Sequence, residues 1–262
     1  MNISVLSYSF RGLLQSGEMD IFGYLEACRY RYGLQAADLW SGHFPTTDEE
    51  FIQKVKNALE ERDLVLADMA VDGAHVWEPD PEEREKNYQR AKRFLEIAVT
   101  LGCKFVRIDA GSRNESWTNE EFDFIVKRYK EYAQFAYDHG FKVGIENHWG
   151  PEKMWPNLKA VYEAVDSPAF GVSCHFHGWG GTEEEKIAAD RAVAPWVCHT
   201  HIPWNICSDP AMLKEKLSNL WNVGYKGYYS VEHHSGKDEY TEVAIQIAQV
   251  RDMLDKLRRG VA

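Results

Sequence analysis

Apolar positions along this chain recur in two alternating rhythms. Short runs with period two read as strands: Ile3 to Ser9, Leu34 to Trp40, Leu64 to Val71, Phe105 to Asp109, the run opening at Lys142, Phe170 to His177, Val197 to Ile202 and Tyr228 to His234. Longer runs between them have helical spacing and carry their own start and stop signals. Asp20 caps a helix to Tyr32 that Gly33 stops, and Thr47 or Asp48 opens another through Arg62. Pro81 leads a helix through Leu101, closed by Gly102, and Thr118 opens one to His139. Asn157 to Val165 is a short helix, and Thr182 with Glu185 makes a capping box for a helix to about Ala194. Asp209-Pro210 starts a helix that ends near Gly224, and Glu239 to Arg259 is the last.

Eight strands alternating with eight helices predict a parallel sheet with helices packed outside it. A chain of 262 residues fits one closed (β/α)8 TIM barrel, which needs about 250. The alternative, an open doubly wound sheet, wants a glycine-rich turn after its first strand, where Ser7-Tyr8-Ser9-Phe10 stands instead. No linker or composition shift divides the chain, so residues 1–262 read as a single catalytic domain.

In such a barrel the chemistry gathers at the C-terminal strand ends. There the polar residues come in pairs spaced by two, so each pair shares one face: Glu146 and His148, His175 and His177, His199 and His201, Glu232 and His234. One histidine at a strand end is more often a hydrogen-bonded rim residue than a ligand. Four neighbouring strands delivering Glu146, His175, His201 and Glu232 to one point make a site. Two carboxylates and two imidazoles without a thiolate suit Mn2+, Fe2+, Co2+ or Zn2+ better than Mg2+. Cys174 and Cys198 adjoin the histidines and by alternation face the helices, as packing residues. His148 is either an acid/base group or a partner that orients Glu146. Candidate substrate contacts are Arg107, His199, His75 and, further out, His43. Arg107 reads equally as a salt-bridge partner of a rim carboxylate. Trp149, Trp155, Trp179 and Trp204 follow strands five to seven, where they stack on a sugar or flat ring, or pack loops or a partner onto the rim.

Charge and composition narrow the partners. A formal net charge of −11 with no basic run argues against nucleic acid and anionic membranes. An apurinic-site endonuclease, which needs a basic groove, is disfavoured for the same reason. No stretch is apolar enough to span a membrane. The N-terminus reads as a strand and not as a leader, and five scattered cysteines suit a reducing, cytoplasmic compartment.

Ile145-Glu146-Asn147-His148, Gly171-Val172-Ser173-Cys174-His175, His199-Thr200-His201-Ile202 and Tyr229-Ser230-Val231-Glu232-His233 resemble the xylose isomerase-like TIM-barrel superfamily of sugar isomerases and epimerases. The resemblance spans the chain. It implies a divalent metal on Glu146, the strand-six residue, His201 and Glu232, with the two glutamates as the acid/base pair. His175 stands where that superfamily usually has Asp, which removes one negative charge. Asp72-Gly73-Ala74-His75-Val76-Trp77, Val106-Arg107-Ile108-Asp109-Ala110-Gly111 and Glu146-Asn147-His148 further resemble the α subunits of bacterial C-glycoside deglycosidases. That resemblance implies a 3-oxo-glucoside substrate with a flavonoid-like aglycone, Mn2+, a small β subunit in a hetero-oligomer, and C–C cleavage by enolisation and β-elimination with His148 as acid/base. A keto-sugar isomerase or epimerase on the same metal site is the competing expectation, and a non-catalytic subunit with a vestigial site a further one.

Overall fold

The computed structural model describes residues 2–261. Its strands are β1 (Ile3–Val5), β2 (Ala36–Trp40), β3 (Val65–Val71), β4 (Phe105–Ile108), β5 (Lys142–Glu146), β6 (Phe170–His175), β7 (Val197–Pro203) and β8 (Tyr229–Glu232). All pair in parallel, in the order β1-β8-β7-β6-β5-β4-β3-β2. The helices are α1 (Arg11–Ser16), α2 (Ile21–Glu26), α3 (Glu49–Glu61), α4 (Pro81–Leu101), α5 (Asn119–His139), α6 (Trp155–Val165), α7 (Glu183–Val193), α8 (Trp204–Cys207), α9 (Pro210–Asn222) and α10 (Glu239–Arg259). No helix among the described residues is long and apolar enough to cross a membrane.

The caps read from the sequence are largely those that form. Asp20 accepts from Gly23 N, Gly102 takes the left-handed conformation after α4, and the Thr182/Glu185 box closes on both sides. Thr118 with Glu121 forms a second such box at α5. The N-caps satisfy amide groups that the first helical turn leaves unpaired, and Gly102 N donates to carbonyls of the last turn of α4.

The first strand is shorter than its alternation suggests. It ends at Val5, and Ser7–Phe10 forms a 3-10 turn that leads into α1. The serine hydroxyls cause the break: Ser7 Oγ accepts from Trp40 N at 2.8 Å and Ser9 Oγ from His233 N at 3.0 Å. Side chains thus take the place of ladder bonds at this corner. β1 and β2 share no ladder; a single bridge, Leu6 to Asp38, joins them. The Tyr24 hydroxyl from α2 fills the gap, 2.6 Å from Val5 O and accepting from Asp38 N at 3.0 Å. Strands six and eight also stop early, at His175 and Glu232. Past β6 the chain turns, and His177 adopts a left-handed φ of 64°.

Outside the sheet the core is apolar and continuous, with Phe94, Leu95, Ile125, Tyr129, Leu217 and Val250 packed from the helices. The barrel's interior is not. Ser4, Asp38, Asp68, Ser173, His199 and Ser230 are all buried. Asp38 is their hub: its Oδ2 accepts from Ser4 at 2.6 Å and from Ser230, and meets His199 Nε2 at 3.1 Å.

Candidate metal centre

The ends of four strands bring candidate donors together: Glu146, His175 and His201 offer atoms that all lie within 4.8 Å of one another, and Glu232 lies beside the two histidines. His201 Nδ1 lies 2.7 Å from Glu146 Oε1, and His175 Nδ1 lies 3.6 Å from the same oxygen. Glu232 Oε2 lies 3.2 Å from His175 Nδ1 and 3.9 Å from His201 Nδ1. Donors bound about 2.1 Å from a tetrahedral ion sit about 3.4 Å from one another; the 3.2, 3.6 and 3.9 Å separations suit a ligand set, whereas His201 Nδ1 and Glu146 Oε1 at 2.7 Å are directly hydrogen-bonded. Glu232 Oε2 has no well-directed hydrogen bond despite its closeness to His175. A divalent cation therefore fits these residues.

Electrostatics says the same. Burial opposes ionisation of Glu146, yet the positive charge of His201 and His148 and hydrogen bonds from His175 and His201 hold its carboxyl well below the usual range. For Glu232 burial is likewise outweighed by the charge of His201, helped by the neighbouring His175 and His234. Burial favours a neutral His175, but hydrogen bonds to Glu146 and Glu232 push its pKa up to about 9. The imidazole protons balance the carboxylates here, and a bound cation would take their place, since a ligating imidazole must be neutral.

The backbone that holds the donors is tightly specified. Asn147, on the opposite face of its strand from Glu146, accepts from His175 N at 2.7 Å and donates to His175 O at 2.8 Å. Below the donors Gly144 pairs with Gly171, and a Cβ at Gly144 would lie 1.9 Å from the Gly171 carbonyl. A side chain there would push β5 off β6 and part Glu146 from His175.

His148 stands at the rim, 37% exposed. Its Nδ1 lies 3.2 Å from Asp109 Oδ2 and 3.9 Å from Glu146 Oε2. Burial lowers its proton affinity, but Glu146 and Asp109 more than offset this and raise its pKa. Asp109 also accepts from Trp149 Nε1 at 2.8 Å, which fixes a ring that is otherwise half exposed. Trp149, His75 and Asp109 line a cavity of about 440 Å3, together with Trp77, Pro79 and Arg113. His75 is paired with Glu78 there. A cavity of about 520 Å3 opens at the other end, among strand starts such as Lys104, Lys142 and Val197, with neither carboxylate nor imidazole in its lining.

Three sequence expectations change. Arg107 is buried among carboxylates: Nη1 bonds Asp72 at 2.7 Å and Asp109 at 3.0 Å, and Nε lies 3.0 Å from Glu146. The salt-bridge reading, not the substrate contact, describes it. His199 is also buried, bonded to Asp38, because a residue two positions before His201 on an inward face lies one layer deeper. Trp204 is half-buried with its ring edge-on to His233 at 6.2 Å, away from the donors. His43, further out, pairs Nδ1 with Ser7 Oγ at 3.0 Å.

Two further residues join the site, and one of them, His234, is the strand-end partner of Glu232. His234 meets the second oxygen of Glu232 at 3.0 Å and stacks on His175 with ring centroids 5.7 Å apart. Its place two residues after Glu232 was the available signal. Glu152, wholly buried, accepts from Trp149 N at 3.2 Å and from Ala110 N; burial and the nearby Asp109 keep its pKa well above normal. Nothing in the sequence around Glu152 marks it.

The family model for the xylose isomerase-like TIM barrel matches residues 27–258, and the chain belongs to that family. An uncharacterised protein of Methanocaldococcus jannaschii is 25% identical over 162 residues, a match spanning 55% of this chain and 55% of that one. A xylose isomerase-like TIM barrel protein from Mycobacterium smegmatis, solved in complex with magnesium, superposes with a TM-score of 0.74 at 15% identity, covering all of this chain and 98% of its own. A 3-keto-D-glucoside 4-epimerase from E. coli superposes with a TM-score of 0.71 at 16% identity, covering 96% of this chain and 99% of its own. At these identities the likeness is one of fold.

Proposed function

We propose that this protein is a divalent-metal-dependent sugar enzyme that removes a proton next to a ketone, and that its reaction is cleavage of the C–C glycosidic bond of a 3-oxo-glucoside. The convergence of Glu146, His175, His201 and Glu232 carries this reading. Those residues would hold the cation, Mn2+ by preference, with Zn2+, Co2+ or Fe2+ compatible with the same donors. When bound, it supplies Lewis-acid stabilisation of the charge that develops on the ketone oxygen.

The chain's own groups do the rest. The C2 proton is acidified by the C3 ketone and passes to a base at the strand ends. The C1–carbon bond to the aglycone then breaks, and its electron pair leaves with the aglycone, where a proton replaces the sugar. His148 supports this last transfer: it is reachable, oriented by Asp109, and drawn toward its protonated form. Glu146 turns one oxygen to the donor set and the other to Arg107, which suits a ligand more than a free base. Glu232 shares its second oxygen with the half-exposed His234, a path by which a proton can reach solvent. Trp149, held edge-on by Asp109, offers a ring face to a flat aglycone. A small β subunit completing a hetero-oligomer and a cytoplasmic location belong to the same reading.

A second reading is a keto-sugar isomerase or epimerase. It is favoured by the placement of the carboxylates Glu146 and Glu232 on different strands around one point. The product separates the two. Purified protein with Mn2+, alone and with a candidate β subunit, is incubated with a 3-oxo C-glucoside in D2O. Free aglycone supports cleavage. Deuterium incorporation beside the ketone with the glycosidic bond intact supports the epimerase. Neither change, in protein shown to hold metal, overturns both.

A further inference from the structure

Beneath the donors, the barrel interior holds a carboxylate without a partner. Asp68 on β3 is fully buried, and neither of its oxygens has a hydrogen-bond donor. Its Oδ2 faces Nε2 of His201 at 3.7 Å, and that nitrogen is itself buried and unpartnered. A buried ionised carboxylate with nothing to pair is costly, so its placement opposite a ring nitrogen needs a cause.

We propose that Asp68 positions the metal centre by accepting the Nε2–H of His201. This rests on the reading of Glu146, His175, His201 and Glu232 as metal ligands. His201 turns Nδ1 toward the donor set, 2.7 Å from Glu146 Oε1. A neutral imidazole carries one N–H. Once Nδ1 gives its lone pair to a cation, the proton sits on Nε2, and a carboxylate acceptor there fixes both tautomer and ring orientation. Asp68 is the carboxylate that Nε2 faces. A movement of under about 1 Å brings the pair to ordinary hydrogen-bond length. His199 lies beside the pair, its ring anchored through Nε2 to Asp38. Asp68 touches neither metal nor substrate, so it is a positioning residue. It also ties the ligand-bearing arc of the barrel to β3, which lies across from β7 in the strand order.

The test uses the full chain and zinc, measured by calorimetry and by nitrogen-15 NMR of the histidine rings. Asp68→Asn should weaken zinc binding by about 10- to 100-fold while the metal-free protein melts as the wild type does. In zinc-loaded wild type, His201 should carry its proton on Nε2 and bind through Nδ1. The wild-type spectrum serves should the variant fail to fold. Equal zinc affinity in both proteins overturns the proposal, as does a His201 ring bound through Nε2. So does a second equivalent of zinc that disappears with Asp68→Asn, which would make Asp68 a ligand. Wild type that binds no divalent ion defeats the metal-centre reading itself, and this proposal with it.

Discussion

Arg107 Nε lies 3.0 Å from Glu146 Oε2, and both side chains are almost wholly buried. The same guanidinium bonds Asp72 and Asp109 through Nη1. One cation thus balances carboxylates from one strand and two loops, next to the proposed metal. Removing one member of a buried ion pair strands the others. Arg107→Met should lower the unfolding free energy by about 3–5 kcal/mol, read from urea denaturation. Arg107→Lys keeps the charge but loses the fork, and should fall between the two.

Glu232→Gln keeps shape and removes charge from the donor set. Its affinity for Mn2+ should drop by about 10-fold or more, with turnover abolished. Wild type at about 100 Kd of free metal should gain about 2.7 kcal/mol against unfolding. Thermal melts with and without that Mn2+ check both statements: the variant's gain should be at most about 1.4 kcal/mol. A variant that gains as much from metal as wild type does would remove Glu232 from the ligands.

His148→Ala should retain the metal and lose turnover by about 10²- to 10⁴-fold. Asp109→Asn should lose less, because the ring remains but is no longer held. Calorimetry with Mn2+ beside an assay on a 3-oxo C-glucoside separates the effects. Loss of metal as the main consequence would place His148 in the ligand set.

His43 gives a pH prediction independent of the metal. Burial lowers its pKa from 6.5 to about 4. A histidine whose folded pKa is depressed stays neutral in the fold while the unfolded chain takes up a proton. Its share of stability is complete above pH 6.5 and is lost as pH falls from there toward about 4. Discounting its partial exposure, that loss is about 2 kcal/mol. His43→Asn should flatten this limb of the stability curve, measured by denaturant titration at several pH values. An unchanged limb refutes the assignment.

The ends of β5 to β8 were legible because spacing by two fixes a shared face, and each donor pair recurs one βα unit later. What spacing cannot give is depth or reach. His199 shares the inward face with His201 yet belongs to the layer below. Asp38 and Asp68 read as interruptions of apolar strands, although they organise the interior. The link from Asp109 to His148 and Trp149 crosses from β4 to β5 and exists only once both strands are laid side by side. Helix α1 was invisible for a similar reason. Its first amides, Gly12 N and Leu13 N, are capped at 2.7 and 3.0 Å by Glu239, from the far end of the chain. No local signal encodes such a start.

Tyr24→Phe tests the seam between β1 and β2. The hydroxyl serves Val5 O and Asp38 N, both buried. Its loss should cost about 1–3 kcal/mol. Amide exchange at Leu6 and Asp38 should quicken before that of any other strand pair.

That seam also sets where the ring can breathe. The strands form a belt fastened at a single buckle, and the donors all sit on the uninterrupted run from β5 to β8. Opening at the buckle is local, and it leaves the ladders β5–β6, β6–β7 and β7–β8 in register. Small fluctuations of the N-terminal corner therefore need not disturb the candidate donors on β5 to β8.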